Sequence, residues 1–150
     1  MSTIHPELLR IVSVKIFRSN ISATDEYINN PVKPTGVEIK VGQSTAFDIE
    51  KKKIRIRLKI ELEARKNETE PIGLSGNYVL EFLIHVDDLE QFITEKEDKK
   101  LIDNKLGGTL SGIVYSTARG IIFERTAATA FGGLILPVID PNLLIKESLS

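Results

Sequence analysis

The clearest pattern along the chain is strict alternation. From Lys53 to Ala64 the residues read Lys-Ile-Arg-Ile-Arg-Leu-Lys-Ile-Glu-Leu-Glu-Ala. Side chains of a strand point to its two faces in turn, so this run predicts a strand with one buried and one solvated face. Its isoleucines suit a pleated, half-buried surface. Three other stretches alternate less cleanly. Val12, Val14 and Ile16 are expected to share one face of an early strand, and Val37, Ile39 and Val41 one face of a second. Leu80, Phe82, Ile84 and Val86 are expected to share one face of a fourth. The polar stretch Lys66 to Pro71 suits a hairpin turn before that fourth strand. Asn20 to Thr35, with two prolines and no sustained period, reads as a long irregular connection.

The period changes after Val86. Asp87-Asp88-Leu89-Glu90 is expected to start a helical pattern, with Asp87 as its N-cap. The charge run Glu95 to Lys100 reads as a solvated face or loop. From Thr109 to about Ala130 the pattern is helical, and Gly132-Gly133 stops it. Leu134 to Ile139 is an apolar connector. Asp140-Pro141 suits the start of a short last helix through Leu144. Strands first and helices after predict an α+β fold: a four-stranded antiparallel sheet with a long helix and shorter helices packed on one face.

The long helix carries Gly108, Gly112, Ser116 and Gly120 along one side. Small residues at this spacing let another backbone approach closely. Leu110, Ile113, Val114, Tyr115, Ile121, Ile122 and Phe123 occupy the rest. A helix apolar over most of its circumference needs cover on more than one side. One sheet supplies one side, so a second subunit is expected on the other. The alternative is that the small residues simply tolerate exposure.

Composition narrows the function. The chain has 150 residues, 41% of them hydrophobic and 27% charged, which fits one globular domain spanning residues 1–150. There is no cysteine, which excludes disulfides, thiolate metal sites and cysteine nucleophiles and fits a cytoplasmic setting. The start of the chain shows no secretory signal pattern. Between Leu106 and Ile139 only Arg119, Glu124 and Arg125 are charged, but the charge-free runs on either side fall short of the ~18 residues a span needs.

Catalytic constellations are sparse. Of the two histidines, His5 lies near the terminus, and His85 lies on the outer face of the fourth strand with Glu81 and Asp87. That trio matches no established metal spacing, and an exposed polar strand face looks the same. No phosphate-binding glycine loop and no Gly-x-Ser-x-Gly elbow is present. Lys51, Lys52, Lys53, Arg55, Arg57, Lys59, Arg65 and Lys66 form a basic run. It lacks the interleaved aromatics of a stacking surface, and the net charge is -1, so no nucleic-acid partner is expected. No metal, cofactor or catalysis is expected either.

The order of the elements resembles the SecB-type protein-export chaperones. The resemblance runs from about Leu9 to Ile145. It rests on Arg10-Ile11-Val12, on Val37-x-Ile39-x-Val41, on Ile54 to Ala64 and on Val79-Leu80-Glu81. It rests further on Leu106-Gly107, on Ile113-Val114-Tyr115-Ser116-Thr117-Ala118-Arg119, on Phe131 with Leu134-x-Leu136-Pro137-Val138, and on Leu143-Leu144. The resemblance implies a dimer of dimers with long helices packed between sheets; Gly108, Gly112, Ile113, Ser116, Gly120 and Ile121 would lie in that packing. It implies a holdase that binds unfolded or precursor polypeptides without nucleotide and keeps them competent for export through the SecA motor.

By position, the resemblance places a client groove at Val37, Ile39 and Val41, with Phe131, Leu134 and Leu136. Tyr27 is added from its place in the crossover. The other reading of these positions, for Ile39 and Leu136 especially, is plain core. The family's outer sheet face is acidic where it meets the motor. Here Glu81 keeps an acid, but Lys15 and Arg55 stand where acids are expected, with Arg57 and Lys59 beside them. Like charges oppose that docking. A client-dedicated chaperone, such as one serving a toxin–antitoxin pair, is therefore the nearest alternative. A small-ligand-binding or enzymatic α+β oligomer is the alternative from another class.

Overall fold

The computed structural model describes residues 4–140. The expected last helix through Leu144 lies outside them. In chain order the elements are β1 (Leu9–Ala23), α1 (Asp25–Asn29), β2 (Gly36–Asp48), β3 (Lys53–Lys66), β4 (Glu70–Val86), β5 (Ile93–Lys96), β6 (Lys99–Ile102) and α2 (Asn104–Thr126). Short 3-10 turns at Pro6–Leu8 and Leu89–Phe92 complete them. The architecture is α+β, as the pattern predicts.

The main sheet is antiparallel with strand order β1-β4-β3-β2. Consecutive strands β2, β3 and β4 are joined as hairpins, while the chain between β1 and β2 crosses from one edge to the other. The alternation in β3 is realised in full: Ile54, Ile56, Leu58, Ile60, Leu62 and Ala64 are all buried. Leu80, Phe82, Ile84 and Val86 of β4 lie beside them, and Leu106, Leu110, Val114, Ala118 and Ile122 of α2 complete the core. Each of the larger side chains, valine, leucine, isoleucine or phenylalanine, contributes about 1.5–3 kcal/mol on leaving water, so the β3–β4–α2 sandwich is the principal source of stability.

β1 departs from the expected face. Its register slips between Ile11 and Ser13 and again between Ile16 and Arg18. Ile11, Val14 and Ile16 pair with the buried Ile84, Phe82 and Leu80, so those three share the helix face. Val12 falls in the first bulge instead of joining Val14 and Ile16. An extra residue in one strand shifts every later side chain, so simple period-two counting fails across it.

Two further expectations are corrected, at Asp87 and at the crossover, and the charge run keeps its expected exposure while folding as a hairpin. Asp87 caps no helix; its carboxylate bonds His85 Nε2 at 2.9 Å, and the turn that follows starts after Asp88 without a side-chain cap. The charge run folds as the β5–β6 hairpin, with Glu97 and Asp98 both at positive φ between Lys96 and Lys99. Such two-residue turns match strand twist but favour asparagine or glycine, so the sequence carried no signal for this one. The crossover is shorter than Asn20 to Thr35: β1 runs through Ala23, and Thr24 caps α1 by accepting from the Tyr27 amide at 3.2 Å. Thr24 is also pressed against Gly73, whose φ of +88° and lack of a Cβ permit the approach; a Cβ there would lie 2.3 Å from Thr24 Oγ1.

α2 starts at Asn104, earlier than expected, with the Asp103 carboxylate accepting from the Lys105 amide at 3.3 Å. It ends at Thr126, before the expected Ala130. The Thr129 hydroxyl takes the Thr126 carbonyl at 2.7 Å, and the Gly133 amide bonds the same carbonyl at 3.1 Å. Those bonds fold the following alanines into a tight turn. No helix among the described residues is long and apolar enough to cross a membrane.

Candidate functional site

β2 is one edge of the sheet and is hydrogen-bonded only to β3 among the described strands. Val37, Ile39 and Val41 pair with Ala64, Leu62 and Ile60, which sets them on the helix face as expected. They are half-buried and pack on the margin of the core. An edge strand offers unpaired backbone donors and acceptors as well as side chains.

After the Gly132-Gly133 turn the chain doubles back along α2. The Leu134 amide donates to Thr126 Oγ1 at 2.7 Å, Arg119 Nε donates to the Leu136 carbonyl at 3.0 Å, and the Tyr115 hydroxyl donates to the Pro137 carbonyl. Leu136 is fully buried between these ties. The strap, residues 134–137, therefore runs antiparallel to the helix and is tied to it roughly once per turn. Ser111, Tyr115 and Arg119 follow one another at four-residue spacing and share a helix row. Ser111 accepts from Gln43 Nε2 of β2 at 3.1 Å, which identifies that row as the β2 flank. The strap thus lies on the side of the helix that faces the β2 edge. Burial pushes the Tyr115 hydroxyl pKa above its ordinary value, with the Arg119 charge pulling the other way. Tyr78, in the core beneath, is raised by burial too, opposed by Arg125.

Toward the hairpin end, β2 borders a cavity of about 170 Å³ lined by Gln43, Thr45, Phe47, Leu101, Leu110 and Ser111 among others. Gln43 is almost fully buried. Its Nε2 is bonded to Ser111, but its Oε1 has no partner among the described residues. The polar seat between strand and helix was not visible in the sequence, because Gln43 continues the alternating face of Val37, Ile39 and Val41 as its only amide.

Of the groove candidates, Val37, Ile39, Val41, Phe131 and Leu134 are half-buried on the core margin, and Leu136 is core. Tyr27 stands apart: it is half-buried in α1, at the end of the sheet where β2 begins. The helix stripe divides along its length. Gly108, Gly112 and Ile113 are half-buried, Ser116 and Gly120 are exposed, and an added Cβ at Gly120 would meet nothing within 4 Å. The over-apolar character of the helix has a partial explanation inside the chain itself. Leu110, Val114, Tyr115 and Ile122 are buried against sheet and strap, and Phe123 remains 48% exposed. Cover by the chain's own strap was not anticipated, since it depends on the Tyr115 and Arg119 ties.

On the outer sheet face the register brings Lys15, Glu81 and Arg57 into one cross-strand row, with Arg55 one step along. Arg57 holds Glu81 at 2.6 Å, and its guanidinium lies 5.7 Å from the Phe17 ring. The same pairings separate the histidine trio: His85 is bonded to Asp87, and Glu81 is taken by Arg57. No group of acidic and histidine side chains among the described residues is arranged to hold a metal ion.

No protein-family model matches the chain, and no curated protein matches its sequence. The fold is similar to that of the Rv1957 SecB-like chaperone of Mycobacterium tuberculosis, whose structure holds a ChAD peptide from the Rv1956 HigA1 antitoxin. That likeness has a TM-score of 0.61 and 12% identity, covering 89% of this chain and 91% of that one. At this identity it establishes the fold alone. A protein of unknown function from Streptococcus agalactiae is similar over 87% of this chain and 97% of that one, at 12% identity and a TM-score of 0.40, too low to carry an argument.

Proposed function

We propose that the chain is a SecB-like holdase that binds non-native polypeptides along the flank between the β2 edge and the strap. The observation that carries this reading is the run Val37, Ile39 and Val41 on an edge strand, half-buried and facing the side to which the strap is tied. Covering such side chains with the exposed apolar residues of an unfolded chain is favourable by about 25 cal/mol per Å². The free strand edge adds backbone pairing that needs no sequence code. A folded client has already buried the matching residues, so selectivity for non-native chains follows from burial alone. Phe131 and Leu134 supply the strap wall, and Tyr27 the wall at the crossover end. The shared fold with a chaperone that binds a peptide supports the same reading.

The oligomer in this proposal is built on the outer side of α2, where Ser116 and Gly120 leave room for a second helix and Phe123 is exposed. Delivery to SecA is the weaker part, because the outer sheet face is basic. A client-dedicated chaperone is the second reading, favoured by that same basic face and by the antitoxin peptide held by the M. tuberculosis protein. The test is titration of the purified protein with one polypeptide in unfolded and in folded form. Retention of the unfolded form alone supports the holdase. Equal retention of both, or of neither, refutes it.

A further inference from the structure

The outer sheet face is not used by the groove, and its charges are sorted along the strands. Reading across β1, β4, β3 and β2, successive outward rows are Arg10–His85–Lys53–Asp48, Ser13–Leu83–Arg55–Ala46, Lys15–Glu81–Arg57–Ser44 and Arg18–Val79–Lys59–Gly42. Beyond them the basic excess ends, with Glu61 beside Lys40, then Glu63 and Glu38 gathered around Arg65. The first four rows therefore form a basic field. Glu81 cancels only Arg57, whose Nε and Nη2 both hold it. Lys59 is paired with Glu61 at 3.3 Å. Arg10, Lys15, Arg18 and Arg55 are exposed and make no ion pair among the described residues. Between these cations lie the half-buried Val79 and Leu83, and Phe17 stands 59% exposed at the second bulge of β1.

We propose that this face is a second docking surface, separate from the groove, for an acidic polypeptide segment that carries aliphatic side chains. Cations without an ion pair among the described residues stand on β1 and on β3, about 10 Å apart across the intervening β4 and about 7 Å from row to row along a strand, a spacing that carboxylates on an ordered peptide can match. Val79 and Leu83 give its aliphatic residues something to cover. A nucleic acid fits less well. Phosphates gain nothing from the aliphatic side chains of Val79 and Leu83. The one ring, Phe17, already lies against Arg57, so no stacking platform is free.

The test uses the full chain and four probes: a labelled peptide of aspartate, glutamate and interspersed leucine, its lysine counterpart, a single-stranded oligonucleotide, and an unfolded polypeptide. The acidic peptide is expected to bind, the lysine peptide not, and the affinity to fall as salt rises. The exposed pair Lys15→Glu and Arg55→Glu is expected to weaken the acidic peptide by about tenfold or more and to leave the unfolded polypeptide unaffected. Neutral Lys15→Gln and Arg55→Gln act in the same direction by less. Equal binding of both peptides, or tighter binding of the oligonucleotide, overturns the proposal. So does loss of the acidic peptide in Val37→Asp/Val41→Asp with retention in the charge-reversed variant, which would move it to the groove.

Discussion

Replacing Tyr115 with phenylalanine and Arg119 with methionine removes two of the three side-chain ties of the strap while keeping most of the volume and aliphatic cover at each position. Tyr115 is 4% exposed and gives its hydroxyl to the Pro137 carbonyl. Loss of one neutral bond costs about 1 kcal/mol. Arg119 donates a charged N–H to the Leu136 carbonyl at 3.0 Å. Such a bond is worth about 1.5–3 kcal/mol, and methionine retains the apolar stem. Independent effects would sum to about 2.5–4 kcal/mol. The two ties hold adjacent residues of one strap, so once the first is cut the second is worth less. The double variant should fall short of the sum by about 0.5–1 kcal/mol. Urea unfolding of the two single variants and the double variant measures that shortfall. Amide exchange then locates the loss. The Leu134 amide, bonded to Thr126 Oγ1, reports on the strap, and amides of β3 report on global opening. The Leu134 amide should exchange faster by about tenfold for each 1.4 kcal/mol lost locally, and by more than the β3 amides. Equal acceleration of both sets, or strict additivity, would refute the idea of a strap that opens on its own.

Alkaline pH should destabilise the fold through Tyr78 and Tyr115. Both are raised by burial above 10.0, so above about pH 10 the unfolded chain sheds protons that the folded chain keeps, and stability falls as pH rises. Tyr78→Phe should flatten that fall in urea midpoints taken from about pH 9 to about pH 11; an unchanged slope would assign it elsewhere. Gly73→Ala should cost of the order of 1–3 kcal/mol, from positive φ and the contact with Thr24, and a thermal melt that does not shift would contradict the local geometry. Gly120→Leu places its side chain in open space within the chain. It should therefore leave the circular dichroism unchanged and lower the solution mass if helices pair there, whereas an unchanged mass would remove this stripe from the assembly.

How much of this was legible in the sequence depends on how local each determinant is. β3 was fully legible because each of its residues obeys one period and pairs on both sides without interruption before Glu63. β2 and β4 were legible in part, at Val37 to Val41 and at Leu80 to Val86; β2 runs on to Asp48, and β4 starts at Glu70, inside the polar stretch read as turn. β1 was misread at Val12, because a bulge is a choice made between two strands and leaves no mark in one of them. The β5–β6 hairpin was hidden because Glu97 and Asp98 adopt a turn that the sequence usually signals with asparagine or glycine. At the site, Val37, Ile39 and Val41 were found by their alternation, and Phe131 and Leu134 only through a resemblance. The strap was not legible, because its path is fixed by Tyr115 and Arg119, whose partners are backbone carbonyls well over ten residues away. The same distance hid the core status of Leu136.

The most direct measurement of the central claim is calorimetric titration of one unfolded polypeptide into the wild-type protein and into the Val37→Asp/Val41→Asp variant, with the solution mass of each protein taken alongside. The account predicts strong binding to the wild type and at least about tenfold weaker binding to the variant, because two buried charges at the contact cannot be compensated by an apolar client. It also predicts that the two proteins have the same mass and the same circular dichroism. Undiminished binding to a folded variant of unchanged mass would contradict it, and would move client binding away from the β2 edge.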